Sequence, residues 1–217
     1  MRKWGVVITV FYALILLGLI VPGAMFLTLN KFSWHGVGNM YGEPVLWVLV
    51  AAIIGSQALL LFLSVDQSQK RLKPRTHVLV SCLVGGILTA LLTSGVIFCV
   101  GCAVWGDKFL PDNFGYIWAI WGALWLLWGV IFYLYFRSSS VVVSRLTAWL
   151  LRGSILELLV AVPCHVIVRR RDDCSAPVAT SFGIASGIAI MLLSFGPSVL
   201  FLYRKRLDEY SNRKSVG

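Results

Sequence analysis

The sequence predicts an all-α, polytopic membrane protein: a bundle of six transmembrane helices with short loops and both termini on the cytoplasmic side. Three observations carry this reading. Of 217 residues, 59% are hydrophobic and only 13% charged, whereas a soluble domain carries about a quarter charged residues. Six stretches, at about 4–29, 45–65, 78–104, 115–136, 148–168 and 178–203, reach the roughly 20 apolar residues that cross the hydrocarbon core. These stretches are continuously apolar, unlike the alternating strands of a barrel. Helices satisfy their own backbone in lipid, so a helical bundle follows. Residues 1–217 are read as a single integral membrane domain.

The first stretch follows Arg2 and Lys3, as a secretory signal would. It runs far beyond the roughly 7–15 residues of a signal core, and Pro22-Gly23-Ala24 is a poor cleavage site. It is therefore read as the first membrane helix. The second carries Gln57, expected to hydrogen-bond between helices. The third ends in Cys99-Val100-Gly101-Cys102.

The fourth stretch places Trp118, Trp121, Trp125, Trp128, Phe132 and Tyr135 at alternating steps of three and four, on one helical face. Gly115, Gly122 and Gly129 form a second line roughly 80–90° around the same helix. The fifth holds Glu157 near its middle and Pro163-Cys164-His165 further on. Proline removes a backbone donor, so a kink or end is expected there. The sixth contains Gly183-x-x-x-Gly187 with Ala185 and Ala189, then a second expected break at Gly196-Pro197.

Lys and Arg set the orientation. The net charge of +10 would suggest nucleic acid in a soluble protein; here the cations flank apolar stretches, and no nucleic-acid partner is expected. With Arg2 and Lys3 inside, fourteen cations fall inside and five outside, as the positive-inside rule favours. The run Arg169-Arg170-Arg171 then lies outside. If 148–168 is instead re-entrant, the count becomes twelve against seven. The six-crossing arrangement is preferred. Lys70, Arg71, Lys73 and Arg75 in an inner loop suit anionic lipid headgroups.

Glu157 is the strongest pointer to function. A carboxyl group at bilayer depth is costly unless paired, hydrated or protonated, and such residues line ion and proton routes. Removal from water disfavours the charged form, which suits an acid that takes up and releases protons. Structural alternatives are an ion pair with Arg152 or a capping box, Ser154-x-x-Glu157. Arg152 is poorly placed, about 140° around the helix. Glu157, Ala161 and Cys164 share one face, and His165 is expected near the outer surface, as a proton station or an interfacial side chain bonded to a carbonyl.

Cys99, Cys102, Cys164 and Cys174, with His35 and His165, lie towards the expected outer side. A CxxC puts two thiols on one helical face, suited to a disulfide or a soft metal; the alternative is inert apolar cysteines. In these parts alone the chain resembles quinone-linked membrane thiol oxidoreductases, which pass electrons from loop cysteines to a CxxC at a helix end. Its six helices exceed their usual four-helix core, and no wider motif matches. Trp118, Trp121, Trp125 and Trp128 are read as a hydrophobic ligand face, for a quinone, a pigment or lipid tails, or else as a packing face. The faces of Gly183/Gly187 and Gly115/Gly122/Gly129 suit close helix contact within the bundle, in a homo-oligomer or with a membrane-complex partner.

No Walker loop, dinucleotide fingerprint or zinc-protease pattern is present, and no cofactor is assigned. Three functions remain. The first is translocation of protons, ions or a small solute, using Glu157, His165 and the breaks at Pro163 and Pro197. The second is an outward-facing thiol redox or metal site, and the third an accessory or scaffold subunit of a larger complex. Short loops and the lack of appended domains point to a plasma membrane, the inner membrane of a prokaryote.

Overall fold

The computed structural model describes residues 2–29, 33–68, 74–109, 114–137, 142–171 and 175–195. These residues are helical almost throughout, with no strand among them, and six helices are long and apolar enough to cross a membrane. The chain is thus a multi-pass membrane protein. In chain order, α1 comprises Arg2–Ile15, a π-helical turn Leu16–Ile20 and Val21–Leu29. A short α2 spans Trp34–Gly42, α3 Pro44–Ser68 and α4 Pro74–Trp105. Then come α5 at Phe114–Phe136, α6 at Val142–Arg170 and α7 at Ala176–Phe195.

Local chemistry explains the irregular points. Pro22 has no N–H to return to Gly18, and the helix widens into its π turn immediately before it. There the Val21 N–H reaches back to the Leu16 carbonyl, while the Tyr41 hydroxyl of α2 donates to the Leu17 carbonyl. Burial raises the Tyr41 phenol above its ordinary pKa. The α2 helix falls between the apolar stretches 4–29 and 45–65, where its glycines hide any apolar period. Ser33 caps it by accepting from the Gly36 N–H at 3.4 Å. A 3-10 turn, Gly106–Phe109, ends α4, with Gly106 at φ 64° where a side chain would be strained.

Two expectations about α6 change. It begins at Val142, six residues before the apolar stretch at 148, because Val142, Val143 and Leu146 are buried against the bundle. Nor does it end or break at Pro163, but continues to Arg170. Pro163 lies on the exposed side of the helix, and membrane helices tolerate such prolines. A continuous 29-residue helix is not a re-entrant segment. Pro197, like Gly196 and Cys174, lies outside the described residues.

At the centre stands α4, packed on α3, α5 and α6. It approaches α5 closely: a Cβ on Gly86 would lie 2.9 Å from the Gly129 nitrogen. The tryptophan stripe faces the same way. Trp125 Nε1 donates to the Leu83 carbonyl at 3.1 Å and Trp128 Nε1 to Thr93 Oγ1 at 3.1 Å. The main core joins Leu60, Leu88, Phe136, Leu146, Leu150 and Leu193 from five helices. Polar bonds tie α7 to α1: Tyr12 donates to the Ala189 carbonyl at 2.8 Å, and Thr28 and Ser181 share a 2.7 Å hydrogen bond.

The start of α7 is capped from a distant segment. Asp107 Oδ1 accepts from Ser175 N at 2.9 Å, Ser175 Oγ at 2.8 Å and Ala176 N at 2.7 Å. This places a carboxylate on the orphan donors and positive end of the helix. Asp107→Ala should cost about 1 kcal/mol, as cap losses do. Thermal unfolding would measure it, with Asp107→Asn retaining most of the stability.

Candidate functional site: a buried acid between three helices

Glu157 is wholly buried, at the meeting of α4, α6 and α7. Its neighbours are glycines from two other helices. A Cβ on Gly95 would collide with Oε1, and one on Gly187 would come within 3.0 Å of Oε2. Gly183 adjoins the same space, with its α-carbon 3.3 Å from a Cβ built on Gly95. The sequence marks Gly183 and Gly187 as a contact face for a neighbouring helix or a partner; both are buried inside this chain, where they make room for the acid. Sequence reasoning missed Gly95, a lone glycine in an apolar run.

The carboxyl group is sparsely bonded. Ser186 Oγ lies 3.1 Å from Glu157 Oε1 and 3.1 Å from the Gly183 carbonyl, while Oε2 has no hydrogen-bond partner. Arg152 points away, exposed on the opposite side of α6. The capping box is not formed: Ser154 is in mid-helix and donates to the Leu151 carbonyl at 2.9 Å.

Ser186 has one proton for two acceptors. When Glu157 is charged, the hydroxyl donates to Oε1. When Glu157 is protonated, its own O–H donates to Ser186 Oγ, and the serine proton turns to the Gly183 carbonyl. The pair therefore has a hydrogen-bonded arrangement for either protonation state. Uptake of one proton by the carboxylate, with a rotation about the serine C–O bond, converts the first arrangement into the second, and loss of that proton reverses it.

A second polar station lies eight residues along α6, about 12 Å at 1.5 Å per residue. His165 is buried, with Nδ1 2.8 Å from Thr180 Oγ1 of α7. Thr180 is also within 3.2 Å of the Ala176 and Pro177 carbonyls. Between the stations, Ala161, Cys164, Cys99 and Ile184 form an apolar layer. The Cys99 thiol donates to the Thr180 carbonyl at 3.8 Å, and it occupies the notch over Gly183, 2.5 Å from where a Cβ would be.

The thiol set is only partly gathered. Cys99, Cys102 and Cys164 are buried and form no disulfide; Cys99 and Cys164 share the apolar layer, whereas Cys102 packs in a separate cluster with Val168 and Ala176. His35 is exposed on α2. Among the described residues no group of three or more His, Cys, Asp or Glu is placed to hold a metal ion.

The tryptophans divide in the same way. Trp121, Trp125 and Trp128 are half-buried against α4, while Trp118 is more exposed. Trp121 and Trp125 stack with centroids 6.5 Å apart, and the Trp121 indole N–H is buried without a partner. Of the glycine line, Gly129 meets α4, whereas a Cβ on Gly122 would touch nothing within 4 Å. Comparison with known protein families, with curated proteins and with solved structures finds no match for this chain.

Proposed function

We propose that this multi-pass membrane protein translocates protons, or a small solute coupled to them, with Glu157 as the titrating group. The observation that carries the proposal is the Glu157–Ser186 pair: a wholly buried acid with one orphan oxygen and a partner that serves both protonation states. A buried polar atom left without a partner costs about 1–3 kcal/mol. Packing alone gives no reason to retain it, since an apolar side chain would fill the same space.

In this conformation the acid is occluded, and the layer around Ala161 and Cys99 separates it from His165 and Thr180. Exchange with either side then requires α7 to move against α4 and α6, which meet it through glycines. His165 serves as the second station. The Lys and Arg distribution supports a cytoplasmic side for Arg2, Lys3 and both termini, and the short loops support reading the membrane as a plasma membrane, the inner membrane of a prokaryote.

Proteoliposomes under an imposed membrane potential, with a pH indicator trapped inside, test the proposal. Wild-type protein should pass protons well above the rate of empty vesicles, and Glu157→Gln should fall to that background. Equal flux through wild type and Glu157→Gln would remove Glu157 from the mechanism.

A further inference from the structure

We infer that the cleft between α1 and α7 is a binding site for an anionic phospholipid, one acyl chain in the cleft and the phosphate on the Arg169–Arg171 run. The cleft has a volume of about 280 Å³ and is lined by apolar side chains, among them Gly23, Ala24 and Leu27 on α1 and Ile184, Ala185 and Ile188 on α7. Small residues make it: a Cβ on Gly23 would meet nothing within 4 Å. From Leu19 to Leu27 it follows eight residues of α1, about 12 Å of the roughly 15 Å depth of one leaflet. It lies on a different face of α7 from Gly183, Ser186 and Gly187, so it is separate from the acid.

Charge at one end selects the occupant. Leu27 closes the cleft, and its backbone carbonyl accepts a hydrogen bond from Arg169 Nη2. A guanidinium thus stands at the mouth. Arg171 Nη1 donates to the Ala103 carbonyl at 2.7 Å, and Arg170 is exposed beside it. Asp172 and Asp173, which follow, lie outside the described residues. Each guanidinium carries five donors, so one carbonyl bond leaves most of them available. Arginine forks match phosphate oxygens in pairs. A neutral lipid would fill the cleft but leave these donors unused, and a soluble phosphate would use the donors but leave the cleft empty. The observations require both parts in one molecule.

The test uses the full chain in nanodiscs of neutral phosphatidylcholine, into which phosphatidylglycerol is titrated. Binding is read by lipid retention in native mass spectrometry and by the shift in Tm. Wild type should retain phosphatidylglycerol and melt higher as its fraction rises. Arg169→Gln should weaken retention roughly tenfold, the loss of one charge-assisted hydrogen bond. Arg170→Gln, at an exposed position, gives the same reading without touching the Leu27 bond. Ala185→Phe, which fills the cleft, should lower retention while leaving the arginines in place. Equal retention by wild type and all three variants would overturn the inference. So would an equal shift from neutral diacylglycerol, or from inorganic phosphate alone.

Discussion

Glu157→Met should yield a protein that melts at a higher temperature and no longer passes protons. Methionine matches the length of glutamate but brings no polar atom into the space beside Gly95 and Gly187. The substitution removes the orphaned Oε2 and gives up one 3.1 Å bond to Ser186, whose proton then goes to the Gly183 carbonyl. Removing an unsatisfied buried atom gains about 1–3 kcal/mol, and a single lost hydrogen bond returns about 1 kcal/mol of that. A rise in Tm with loss of flux is the pattern of a group retained for function at a cost in stability. Thermal unfolding followed by tryptophan fluorescence, beside the proton-flux assay, reads both quantities. A lower Tm in Glu157→Met would instead make the acid a structural partner of Ser186, and the translocation proposal would lose its main support. Glu157→Ala is a poorer probe, because a cavity would lower stability under either reading.

Gly86→Leu should be the most damaging single change in the bundle. Even one methyl group at Gly86 would lie 2.9 Å from the Gly129 nitrogen and 3.1 Å from the Gly129 α-carbon and the Trp125 carbonyl oxygen. These are backbone atoms, so no rotamer relieves the contact, and α4 and α5 must move apart. Overpacking of this kind costs about 1–3 kcal/mol for a methyl-sized change, and leucine adds three further carbons. Separation would also stretch the Trp125–Leu83 and Trp128–Thr93 bonds, which cross the same interface. Gly122→Ala supplies the control. It changes the partner helix α5 at a position where a Cβ meets nothing within 4 Å, and its Tm should not fall below wild type. Equal Tm values for Gly86→Leu and wild type would show that the two helices do not meet as described.

Two residues, one a helix cap and one in the site, illustrate what a sequence conceals. Asp107 reads as an isolated loop acid, yet it caps α7 across nearly seventy residues of chain. Gly95 has no neighbour in the sequence that marks it, and only the approach of α6 shows that its missing side chain is the space Glu157 occupies. The Gly183/Gly187 spacing was visible, but a small-residue face signals only that something comes close. Pro163 was visible too. Its effect depends on what surrounds it, and an exposed position let the helix pass through.

The six membrane helices, the presence of an acid among them and the alignment of Glu157 with Ala161 and Cys164 were determined by the sequence alone. Hydrocarbon tests each residue separately for polarity, and a helix has a single period, so both signals are local. The tertiary structure decided which groups surround that acid: Ser186 and the three glycines come from α4 and α7. Contacts between helices depend on how far each side chain projects and how closely two backbones approach, and neither quantity is encoded within one helix.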